Sequence, residues 1–213
     1  MVSFSSSILI IVSLLAGGVQ GWWQLSPLRT TALSKAVLEQ ANRDVLFPLM
    51  DQVICDSPSV IAVTTQALVG AWQVVCTKPG PKGEPKWVKY SRFLGGPTDR
   101  KNRDFQIFSS DGSFINLSEY ISSVFFATAS GSYEIQPMGS IPQVVATVDN
   151  VRIHVGYGST NRRSLSLGVR GKGYVTIRYL DSINGLRIFE NEDGAQVLQQ
   201  LVSVPVEYTA FLR

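Results

Sequence analysis

Residues that usually carry chemistry are scarce in this 213-residue chain. It has one histidine, His154, and two cysteines, Cys55 and Cys76. They form no Cys-x-x-Cys pair, no zinc spacing and no histidine–carboxylate cluster, so the common protein metal sites have no signature here. A glycine-rich phosphate loop and a nucleophile elbow are missing too, which removes positive evidence for nucleotide chemistry and serine hydrolysis. Only 16% of residues are charged, with a net charge of +3, and no nucleic-acid-binding motif accompanies that balance. No catalytic residue, cofactor or metal is expected. Two thiols fit either a reducing compartment, where they stay free, or an oxidising one, where they pair.

Charge is absent altogether from residues 1–21. Ile8 to Ala16 is apolar apart from Ser13, too short to span a bilayer, and Val19 and Gly21 suit a signal-peptide cleavage site. Residues 22–38 hold hydroxyls and two bases, and no acid precedes Glu39. That is transit-peptide composition, so the expectation is a signal peptide (1–21) followed by a transit-like segment (22–38). The alternative is a secreted protein whose mature end lacks acids.

From Thr31, the apolar residues Leu33, Ala36, Val37, Ala41, Val45, Leu46 and Leu49 recur at helical steps, with a break or kink expected at Pro48. Asp51 to Ser59 reads as poor helix, and Asp56-Ser-Pro58 as a turn or cap before a short second helix through Gln66. Residues 39–67 are thus a helical region. After Leu68 the period changes to two. Trp72, Val74 and Cys76 share a face; Phe105–Ser109 and Ser113–Ser118 flank the hairpin signal Asp111-Gly112. Strands are expected over Tyr120–Ala129, Gly131–Gln136, Gln143–Asp149 and Val151–Tyr157. Three more follow over Gly173–Asp181, Gly185–Phe189 and Gln196–Val202. Many short sequential strands close most simply into an antiparallel up-and-down barrel (68–203) behind an N-terminal helical cap, with a two-sheet sandwich as the alternative. Residues 204–213 form a tail.

Between residues 78 and 103, eight bases face two acids among prolines, glycines and aromatics. Lys86, Trp87, Lys89, Tyr90, Arg92 and Phe93 make this loop a candidate for docking on an anionic membrane. His154 falls opposite the Val151/Ile153/Val155 face, with no sequence neighbour to make it a proton shuttle. Asn116-Leu-Ser118 is a glycosylation sequon inside an expected strand, where no sugar is expected.

Gly70-Ala-Trp72, Phe105-Gln106-Ile107 with Asn116, Arg178-Tyr-Leu-Asp181, Leu186-Arg-Ile188 and Gly194 follow one another in an order that resembles the plastid lipid-associated (fibrillin, or plastoglobulin) family. The resemblance spans roughly residues 68 to 202. Val-Val-Cys-Thr77, the enlarged turn Ser182–Gly185, the segment Glu190–Asp193 and the tail depart from the family pattern. What the resemblance implies is a lipocalin-like barrel in the plastid (chloroplast). It would bind a hydrophobic small molecule or lipid, such as an isoprenoid or quinone, at the thylakoid or lipid-droplet (plastoglobule) surface, without enzymatic activity. Trp72, Phe105, Ile107, Tyr179 and Arg187 are the candidate lining or mouth residues. Asp181 and Arg187, at the end of one strand and in the next, are expected to pair and set the register of that hairpin. Two rivals remain open: a secreted lipocalin-like carrier with a Cys55–Cys76 disulfide, and a barrel isomerase or cyclase.

Overall fold

The computed structural model describes residues 27–57, 63–83, 103–121, 124–138, 141–156, 162–204 and 208. Helix α1 spans Pro27–Leu38, α2 Arg43–Asp56 and the short α3 Thr65–Leu68. The break between the first two falls at residues 39–42, not at Pro48. Gln40 takes a left-handed φ of 54°. The amides of Gln40 and Ala41 return to the carbonyls of Val37 and Ala36, closing α1 as a Schellman motif. Asn42 then caps α2 by accepting from the Val45 amide at 3.2 Å. Pro48 lies inside α2, and the stretch read as poor helix, Asp51–Asp56, continues it. The carbonyl that Pro48 cannot serve belongs to Asp44, an exposed residue whose solvent contact offsets the loss.

Nine antiparallel strands follow: β1 Gly70–Lys78, β2 Asp104–Phe108, β3 Ser113–Ile121, β4 Phe125–Met138, β5 Ile141–Val155, β6 Arg163–Ser166, β7 Gly171–Asp181, β8 Leu186–Asn191 and β9 Gln196–Val202. The chain is mainly β, in one sheet. Its pairings run β4-β3-β2-β1-β9-β8-β7-β5, and β4 also pairs with β5, so eight strands bond in a ring with β6 attached to β5. The Asp111-Gly112 hairpin forms as expected, with Asp111 Oδ1 accepting from the Ser113 amide at 2.9 Å. Two expected breaks do not occur. The four strands read between Tyr120 and Tyr157 are two long ones, β4 and β5, and the turn-like residues Ser130-Gly131 mark a register shift between them. Glycine is required there because a Cβ on Gly131 would lie 1.9 Å from the Thr147 carbonyl oxygen.

Three apolar clusters follow from strand alternation. Trp72, Phe108, Phe114, Tyr133, Val144, Ile177, Phe189 and Val197, from all eight ring strands, meet on the inner face, with Leu68 of α3 among them. Helices α1 and α2 instead cover the outer face of β1, β7, β8 and β9, where Leu33, Val37 and Met50 pack on Cys76, Tyr179, Ile188 and Leu198. The helical cap is therefore only partial: α3 alone reaches the inner cluster. α1 lies within the segment read as transit-like, and Leu33 is wholly buried. A third cluster joins Phe105, Ile107, Leu117 and Phe126 on the outer face with Tyr208 from the tail.

Candidate ligand-binding site

Alternation decides which residues face inward. Trp72 stands opposite Gln106, and Gln106 opposite Asn116, so these three share the inner face. Arg187 stands opposite Gln199, and Gln199 opposite Val74, two residues from Trp72. Arg187 is only 1% exposed. Its Nε donates to Gln199 Oε1 and its Nη2 to Gln106 Oε1, both at 2.6 Å. The guanidinium lies 4.4 Å from the centre of the Trp72 ring and 5.0 Å from that of Phe108. Trp72 is itself fixed, because Nε1 donates to the Leu68 carbonyl at 2.8 Å. Burial pushes the Arg187 guanidinium well below its ordinary pKa. Two amide oxygens and two ring faces offset part of the desolvation, each desolvated cation–π contact being worth about 2 kcal/mol.

Apolar side chains make up most of the inner face, and part of it keeps contact with solvent. Val74, Ala146, Val148 and Val175 lie against the inner cluster yet remain only partly buried. Two polar atoms on the same face have no hydrogen-bond partner: Asn116 Oδ1 and Asp104 Oδ1. Burial pushes the Asp104 carboxyl up to about 6; a bond from Ser118 opposes the rise and the Glu119 charge adds to it.

The ends of the ring differ. At one, α3 meets the starts of β1 and β8. At the other stands β6, whose only strand partner among the described residues is β5. Leu165, Leu167 and Val169 are exposed there, beside exposed Arg163, Arg170 and Lys172. No acid occurs between Asp149 and Asp181. Glu192 and Asp193, on the β8–β9 turn, lie toward the same end, and Asp193 pairs with Lys82 at 3.5 Å.

Of the five candidate lining residues, Trp72 and Arg187 face inward. Phe105 and Ile107 alternate with Gln106 and so face outward under Tyr208; Tyr179 faces the helices, the register shift between Ile177 and Tyr179 having turned it out. The Asp181–Arg187 pair does not form. Asp181 stands opposite Leu186, while Arg187 stands opposite Leu180, so the two side chains leave the hairpin on opposite faces. Asp181 instead organises the turn, with Oδ1 accepting from the amides of Ile183 and Asn184 at 3.0 Å each. The docking-loop residues Lys86, Trp87, Lys89, Tyr90, Arg92 and Phe93 lie outside the described residues.

His154 is buried on the outer face. It stacks on Phe126 at 4.6 Å, with Thr128 Oγ1 3.0 Å from Nε2 and Ser164 Oγ 2.8 Å from Nδ1. Desolvation, then the charges of Arg162 and Arg152, lower its pKa. Sequence reasoning passed over Gln106 and Gln199 as site residues; their place at inward positions of apolar strands was the available signal. Cys76 is buried with its thiol pushed up to about 11, Cys55 is exposed, and the two are unbonded. Among the described residues no cluster of His, Cys, Asp and Glu is arranged to hold a metal. No protein-family model and no curated protein matches the chain.

Proposed function

We propose that the chain is a plastid lipid-associated protein of the fibrillin type. Its ring of strands acts as a lipocalin-like barrel that holds a lipid, isoprenoid or quinone, and the protein works at a thylakoid or plastoglobule surface. The observation that carries this reading is the inner face: apolar side chains from eight strands, several of them only partly buried, around one polar cluster at Arg187. A greasy guest gains about 25 cal/mol for each Å² removed from water there, less the cost of association. Exposed Leu165, Leu167 and Val169 beside Arg163, Arg170 and Lys172 support a peripheral contact with an anionic surface at the end away from α3.

Organic extraction of the purified protein, followed by mass spectrometry, is expected to yield a co-purifying prenyl or acyl lipid. A folded protein that is repeatedly empty overturns the reading. The barrel isomerase or cyclase remains as a second reading because Arg187, Gln106, Asn116 and Asp104 bring polar groups to the inner face. Turnover of a bound isoprenoid, lost on Asp104→Asn, would favour it. The unbonded cysteines give the disulfide-linked secreted carrier no support.

A further inference from the structure

Arg187 stands out because it has no negative partner among the described residues. Three other cations partly withdrawn from water have carboxylates: Arg103 with Glu119, Arg178 with Glu190 and Lys78 with Asp51. Arg187, far more deeply buried than any of these, has only the two glutamine oxygens and the two rings. Of the five N–H donors a guanidinium carries, two are used among the described residues. Asp104 shares the face but forms no ion pair with it among the described residues. Across from Gln106, the Asn116 amide oxygen is buried without a partner. A rotation of that amide presents its NH2 instead, which would add a donor to the same inner face.

We infer that Arg187 is a head-group site on the inner face and that the occupant is a long-chain amphiphile ending in a single carboxylate. The inference rests on the lipid-binding reading and narrows its ligand class. A carboxylate offers two acceptor oxygens to the guanidinium's unused N–H groups, and charge-assisted hydrogen bonds of this kind are roughly twice as strong as neutral ones. One negative charge neutralises the one buried positive charge. A wholly neutral guest leaves it uncompensated, and a doubly charged head group overshoots it. The acyl or prenyl tail then lies along Val74, Ala146, Val148 and Val175, the partly buried apolar positions of the same face.

The test needs no mutant at first. The purified chain is titrated at pH 8 with the fluorescent 18-carbon cis-parinaric acid and with its methyl ester, which keeps the tail and removes the charge. The acid is expected to bind at least tenfold more tightly than the ester, and millimolar butyrate is expected not to displace it. Arg187→Met should bring the acid down to the ester's affinity while leaving the ester unchanged, and Arg187→Lys should restore part of the difference. Equal binding of acid and ester overturns the inference and leaves the lipid-binding reading standing. Displacement by butyrate overturns it as well, since the site then takes a free carboxylate. If neither probe binds, the inference falls together with the reading beneath it.

Discussion

Arg103 and Arg187 occupy opposite faces of the same ring and are handled in opposite ways. On the outer face, Arg103 makes a two-pronged contact with the buried Glu119 carboxylate, Nε to Oε2 at 2.6 Å and Nη2 to Oε1 at 3.1 Å. On the inner face, Arg187 is more deeply buried and has neutral oxygens and aromatic rings in place of a carboxylate. The first arrangement is complete within the chain and serves the fold. The second leaves charge unbalanced on a largely apolar inner face, which is costly for stability and useful for capture of an anion. The difference separates a structural arginine from a candidate binding one without reference to any relative.

Substitutions can break that contrast. The largest effect is expected from Trp72→Ala, which removes the ring beneath Arg187 and opens the inner cluster. Chemical denaturation should register a loss of about 3–5 kcal/mol, and a loss under 1 kcal/mol would mean that the inner face is not a core. Arg103→Met takes the two-pronged partner away from the buried Glu119 carboxylate, so about 2–3 kcal/mol should be lost. That is less than a fully enclosed pair would lose, because Arg103 keeps some solvent contact.

Asp104→Asn sharpens the comparison through pH. The Asp104 carboxyl ionises near 3.8 when unfolded and near 6 in the fold, so the native state favours the protonated form. Its stability is fullest below about pH 4 and declines as pH rises through 6. The asparagine variant should therefore match the wild type at pH 4 and exceed it by roughly 1–2 kcal/mol at pH 8 in urea unfolding. Destabilisation at pH 8 would instead identify Asp104 as the missing counter-ion of Arg187. The smallest effect is expected from Arg187→Met, within about 1 kcal/mol of wild type, because it removes a buried charge without stranding another. If its cost equals that of Arg103→Met, the two arginines do the same job and the distinction drawn here fails.

The last three strands were legible in the residues: Gly173–Asp181, Gly185–Phe189 and Gln196–Val202 correspond to β7, β8 and β9 within a few residues. So was the Asp111-Gly112 hairpin, because a turn with positive φ at glycine is a local demand. The Ser130-Gly131 shift was misread as a break, since a glycine admitting the close approach of Thr147 is indistinguishable in sequence from one ending a strand. The α1–α2 boundary was misplaced for a similar reason: proline looks like a breaker, whereas the actual stop was a left-handed Gln40 and the Asn42 cap.

By itself the sequence determined the mainly β class and the antiparallel succession, which follow from period-two alternation and local turn chemistry. The single face expected for Trp72, Val74 and Cys76 did not hold, because the register shift after Val74 turns Cys76 out to the helices. Tertiary structure decided the closing of the pairings into a ring, the placing of α1 and α2 on the outer wall, and the faces taken by Phe105, Ile107, Tyr179, Asp181 and Arg187. Alternation sorts residues into two sets on each strand. Which set faces inward depends on register shifts and on what covers the other face, and those are contacts between residues far apart in the chain.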